Sequence, residues 1–72
     1  MGELNEVIEM TNAELVKRIV KKGCILLRHG GNHDLYINPA TGGVAPILRH
    51  WTQQVNAGTL ASIKKLLGLN QI

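Results

Sequence analysis

Three histidines, His29, His33 and His50, are the side chains of this sequence best suited to moving protons at neutral pH, because an imidazole both accepts and donates there. Each lies beside a turn or a basic residue and outside the stretches with helical periodicity. His33 has the most suggestive setting. It follows Gly30-Gly31-Asn32 and opens an alternating segment that puts it on one side with Leu35 and Ile37, at the expected edge of a core, where partial shielding can tune an imidazole. Paired glycines ahead of it permit unusual backbone angles and the close approach of a ligand. Any one isolated surface histidine is more often inert than catalytic, so these residues gain weight only from what surrounds them.

Metal chemistry fits the composition poorly. A two-metal site needs several carboxylates, and Asp34 is the only acid after Glu14. Cys24, His29 and His33 have spacings that superficially suit zinc, but a structural site wants four ligands, Cys24 lies in an apolar run, and only His50 remains to complete the set. The reading is therefore of no metal and no cofactor, with acid–base groups doing the work.

Charge says what such groups would act on. The net charge is +3, and Glu3, Glu6, Glu9 and Glu14 are four of the five acids, while no Lys or Arg precedes Lys17. From residue 15 onward eight basic residues face Asp34 alone. A folded unit with that surplus attracts polyanions, nucleic acid above all, although the same charges also serve solubility. Lys17, Arg18, Lys21, Lys22, Arg28, Arg49 and His50 are the candidate RNA-binding residues, with His33 the candidate catalytic one. If His33 took a proton from a ribose 2′-hydroxyl or gave one to the leaving oxygen, with these cations stabilising the transition state, the result would be RNA cleavage.

The elements that must position these residues are legible in part. Thr11 and Glu14 have capping-box spacing, and Leu15, Val16, Ile19 and Val20 form an apolar stripe opposite Lys17, Arg18, Lys21 and Lys22, with Gly23 as the stop. Cys24 to Arg28 reads as a buried strand, His29 to Asn32 as a turn, and His33 to Asn38 as a second strand. After a turn through Gly43, Val44 to Leu48 reads as a third strand that Pro46 confines to a sheet edge or cuts short. A loop over 49–55 leads to a helix capped by Asn56, with Leu60, Ile63, Leu66 and Leu67 on one side and Gly68 at its end. The fold class is thus α+β: helix, three antiparallel strands, helix, with both helices on one sheet face. An acidic extension over 1–10, which could be a short helix, an arm or disordered, precedes the domain at 11–69, and 70–72 form a tail. No secretory signal pattern opens the chain, its longest apolar run is far short of a membrane span, and one cysteine allows no internal disulfide, so the expected compartment is the cytoplasm.

The stretch Gly23-Cys24-Ile25-Leu26-Leu27-Arg28-His29-Gly30-Gly31-Asn32-His33-Asp34-Leu35-Tyr36 resembles the strand, glycine turn, histidine and tyrosine core of the HicA mRNA interferase toxins. Gly58-Thr59-Leu60 and the following residues to Leu69 are similar to that family's closing helix, and Pro46, Arg49 and His50 to its third-strand exit. The resemblance spans about residues 10 to 69. It implies a fold like a double-stranded-RNA-binding domain, endonuclease activity on mRNA, and a HicB-type antitoxin as partner, with no membrane and no direct contact with DNA. The family's single essential histidine falls on His33. Two departures stand out. Asp34 occupies the place where some members carry a second histidine, so its carboxylate would repel phosphate or, if it reaches His33, orient that ring. Val55-Asn56-Ala57 replaces a lysine-rich approach to the closing helix. The alternatives are a non-catalytic RNA-binding module, a domain whose basic face docks an acidic partner, and an inactive family member held by a partner protein.

Overall fold

The computed structural model describes residues 10–72, so the expectations for residues 1–9 lie outside the described residues. The element order is α1 (Asn12–Lys21), β1 (Ile25–His29), β2 (His33–Asn38), β3 (Gly43–Leu48) and α2 (Ala57–Leu67). The strands form one antiparallel sheet in the order β1-β2-β3, and residues from both helices share a single core with one face of it. This is the α+β layout expected of a double-stranded-RNA-binding-type domain.

The helix termini form where local chemistry places them. Thr11 caps α1: its hydroxyl accepts from the Glu14 amide at 3.2 Å while the Glu14 carboxylate accepts from the Thr11 amide at 3.1 Å. The next two free amides, of Asn12 and Ala13, donate to the carbonyls of Gln53 and Trp51, and the Asn12 side chain donates to the His50 carbonyl at 2.9 Å. These bonds tie the start of α1 to the loop leaving β3. Met10, grouped with the extension in the sequence reading, is buried, and its carbonyl accepts from the Val55 amide. Asn56 caps α2 by accepting from the Thr59 amide at 2.8 Å, and Gly68, at φ +68°, ends it in the left-handed conformation.

The core comprises Leu15 and Ile19 of α1, Tyr36 of β2, Ala45 and Ile47 of β3, and Leu60, Ile63 and Leu67 of α2, closed by Met10, Cys24 and Val55. The C-terminal end of α2 is held against the β2–β3 turn. The Leu67 carbonyl accepts from the Asn38 side chain at 2.8 Å and from the Thr41 hydroxyl at 3.1 Å. Gly43 fits this junction because a Cβ there would stand 2.0 Å from the Leu66 carbonyl oxygen.

Several expectations need correction. Cys24 is buried, but every residue of β1 is exposed, Ile25 at 55% and Leu27 at 49%. The helices contact β3 and leave β1 as an uncovered edge strand, in which Leu27 is the extra residue of a bulge. Val20 and Leu66 are likewise about half exposed, so each helix buries a narrower stripe than its apolar residues suggested. The largest reversal concerns β2. Its core-facing residues are Asp34, Tyr36 and Asn38, whereas His33 is exposed on the opposite face and Leu35 and Ile37 are only half buried there. Two polar side chains can face inward because each finds internal partners, a condition that apolar alternation does not encode. Finally, neither Gly30 nor Gly31 has a positive φ; the glycines that do are Gly23, Gly42 and Gly68. At Gly30 the requirement is close approach, since a Cβ would lie 2.9 Å from the His33 carbonyl oxygen.

Candidate RNA-cleaving site

A tight turn joins β1 to β2, closed by the Gly30 amide donating to the His33 carbonyl at 2.7 Å. His29 and Asp34 pair across the strands beside it, and β3 ends alongside, with His33 opposite Leu48 and the Arg49 amide donating to the Asn32 carbonyl at 3.0 Å. One end of the sheet therefore gathers His29, His33, Asp34 and Arg49.

Asp34 is the hub. Its carboxylate, 3% exposed as a residue, accepts from Arg49 Nη1 at 2.7 Å and meets His29 Nδ1 at 2.8 Å through the same oxygen. Hydrogen bonding from His29, helped by Arg49 and opposed by desolvation, holds the carboxyl below the usual aspartate range. The same guanidinium donates to the Gly30 carbonyl at 3.0 Å and to the Gly31 carbonyl. Arg49 thereby balances the buried carboxylate and fixes the glycine turn in one arrangement. The possibility that Asp34 orients His33 is not realised. The carboxylate lies on the helix-covered side, its hydrogen-bonding partners among the described residues are His29 and Arg49, and the His33 ring lies on the open side.

His33 shares the open face with Arg28. Arg28 pairs with Leu35, two residues along β2 from His33 and on the same side, so the cation and the imidazole are diagonal neighbours on adjacent strands. Both are exposed. His50 is exposed on the loop that follows, where its carbonyl anchors α1 through Asn12. Lys17, Arg18, Lys21 and Lys22 are exposed along α1. This helix starts at the His50 loop and ends at the entry to β1, so Lys21 and Lys22 stand at the opposite end of the sheet from the glycine turn. The structure thus sets Arg28 diagonal to His33 on the open face and brings Arg49 to the same end of the sheet with its guanidinium on the other face, whereas Lys21 and Lys22 lie toward the opposite end.

Sequence reasoning weighs His29 with the other two histidines but leaves it out of the site. It places the turn at 29–32, which would set Arg28 opposite His33; in the structure His29 still belongs to the strand, so it pairs with Asp34 instead. Cys24 precedes the other end of β1, buried in the core, where burial pushes its thiol up and keeps it protonated. Among the described residues, no three potential metal ligands converge, and no helix is long and apolar enough to cross a membrane.

A family model described as HicA toxin of bacterial toxin-antitoxin matches residues 13–69. No curated protein and no solved structure matches the chain.

Proposed function

Since the chain belongs to the HicA toxin family, and so has the role of toxin beside an antitoxin in a bacterial toxin–antitoxin system, we propose that it is a metal-independent mRNA endoribonuclease using His33 for proton transfer. The observation that carries this reading is the exposed His33 ring beside Arg28, next to a turn that Arg49 holds in place. An exposed imidazole can reach a ribose 2′-hydroxyl or a leaving oxygen, and an adjacent guanidinium can stabilise charge that develops on phosphate. Nothing here requires a divalent ion, because the 2′-hydroxyl serves as an internal nucleophile and Asp34 is already committed to His29 and Arg49.

Lys17, Arg18, Lys21 and Lys22 supply affinity for the RNA backbone, Arg28 and His50 contact phosphate near the scissile bond, and Arg49 acts through the turn it organises. The activity belongs in the cytoplasm, where mRNA is found, and a HicB-type antitoxin is its counterpart. Asp34 weighs less against activity than its position beside His33 suggests, since its charge is compensated by Arg49 on the other side of the strand.

The test is incubation of purified protein with RNA in EDTA, beside His33→Ala. Wild type cleaves; the variant loses about 10²- to 10⁴-fold in rate, the usual contribution of one positioned acid or base, and keeps salt-sensitive RNA binding. RNA left intact by fresh wild type, or cut equally fast by the variant, refutes the reading. Binding without cleavage by both proteins would identify a non-catalytic RNA-binding module.

A further inference from the structure

His33 accounts for one proton transfer, but cleavage by the 2′-hydroxyl involves two, and the reaction is in line, so the two protons move on opposite sides of the phosphorus. We propose that His29 is the second proton-transfer residue, the general acid that protonates the leaving 5′-oxygen while His33 acts as base; this inference rests on the ribonuclease reading above.

The placement of the two rings carries the argument. They flank the same turn, but His29 pairs with Asp34 and so faces the helix side of the sheet, whereas His33 faces the open side. A phosphodiester seated at the turn would have one imidazole on each side. Between them lie Gly30, Gly31 and Asn32; the two glycines have no side chains to obstruct it, and a Cβ at Gly31 would meet nothing within 4 Å. Arg49 occupies the carbonyl oxygens of both glycines, which lessens the repulsion these dipoles would exert on a bound phosphate.

His29 is also held as an acid catalyst must be held. Its side chain is 67% exposed, yet its Nδ1 is fixed on the buried Asp34 carboxylate at 2.8 Å, which leaves Nε2 as the nitrogen free to exchange a proton with substrate. A ring that delivers a proton is cationic beforehand, and in that form it donates from Nδ1 to this carboxylate, which it shares with Arg49. If Asp34 served only to pin the turn, Arg49 alone would suffice as its partner.

The step balances. His33 takes the 2′-hydroxyl proton as the 2′-oxygen bonds to phosphorus; the bond from phosphorus to the 5′-oxygen breaks, and the His29 proton goes to that oxygen. The products are a 2′,3′-cyclic phosphate and a 5′-hydroxyl, leaving His33 protonated and His29 neutral until solvent resets them.

The experiment uses full-length wild type, His29→Ala, His29→Asn and His33→Ala. Asparagine keeps a donor near the position of Nδ1 for Asp34 but carries no transferable proton. A linkage cut by wild type is mapped in an oligoribonucleotide, which is then synthesised again with bridging 5′-sulfur at that linkage, a leaving group that departs without protonation. On the oxygen substrate both His29 variants should be slower by about 10²- to 10⁴-fold with RNA affinity unchanged. On the sulfur substrate they should approach the wild-type rate, while His33→Ala stays slow on both. The proposal is overturned if His29→Asn cuts the oxygen substrate like wild type, which would make the histidine structural only, or if the His29 variants are equally impaired on both substrates. Failure of wild type to cut any RNA would instead overturn the ribonuclease reading, and this one with it.

Discussion

At the scale of single residues the most informative side chain is Asp34. With a carboxyl held below its ordinary range, it favours the folded state above the unfolded value near pH 4 and loses that contribution as pH falls through its lowered folded value. The chain should therefore become less heat-stable on acidification below about pH 4. Asp34→Asn, which cannot ionise, should flatten that part of the curve. Melting temperatures of both proteins between pH 7 and pH 2 would check this, and parallel curves would show that the carboxylate is not coupled to His29 and Arg49 as described. This arrangement was hard to read from sequence. Asp34 next to His33 looked like a partner or a hindrance to that ring, because adjacency in sequence was visible while the side of the strand was not. Strand alternation supplied two faces, and the apolar Leu35 and Ile37 marked the wrong one as inner. Arg49 settles the matter, because its guanidinium reaches Asp34 and both glycine carbonyls and allows the carboxylate to be buried.

Among the elements, those governed by neighbours in sequence were legible and those governed by distant packing were not. The caps at Thr11 and Asn56, the stops at Gly23 and Gly68 and the edge position of the strand bearing Pro46 all follow from local rules, and the structure has each of them. The exposure of β1 depends on which strands the helices cover, so its apolar run looked like an interior strand. The glycines show the same division. Asparagine and glycine marked both turns, with proline in the second, but only the packed fold distinguishes Gly43, constrained by the α2 backbone, from Gly31, which is unconstrained. Gly43→Ala should push the start of β3 away from the end of α2 and destabilise the fold by about 1–3 kcal/mol, the usual cost of overpacking. Gly31→Ala should stay within roughly 0.5 kcal/mol of wild type. Urea midpoints for the pair would decide, and similar midpoints would contradict the close approach at Leu66. At the cap, Asn56→Ala should cost about 1 kcal/mol, since the Thr59 amide loses its acceptor.

Over the whole molecule, charge and chemistry are separated along the sheet. The α1 cations run from the His50 loop toward the entry to β1, whereas His29, His33 and the glycine turn lie at the other end of that strand. Five residues of β1 span roughly 16 Å at about 3.3 Å per residue, so an RNA touching Lys21 or Lys22 while its scissile bond sits at the turn must cross several nucleotides of backbone. Affinity and rate should then be separable. Replacing Lys17, Arg18, Lys21 and Lys22 together by Ala should weaken RNA binding and reduce the slope of log affinity against log salt by about 0.7 for each lost contact with single-stranded RNA. The single-turnover rate at saturating protein should change little, because no group near the scissile bond has been removed. His33→Ala should do the reverse, keeping the salt slope and losing the rate. If the fourfold variant kept the full slope, the RNA would have to lie elsewhere, with Arg28, Arg49, Lys64 and Lys65 the remaining exposed or half-exposed cations to carry it. If it also lost rate at saturation, α1 would instead be orienting the substrate at the turn, and the division of labour along the sheet would be wrong.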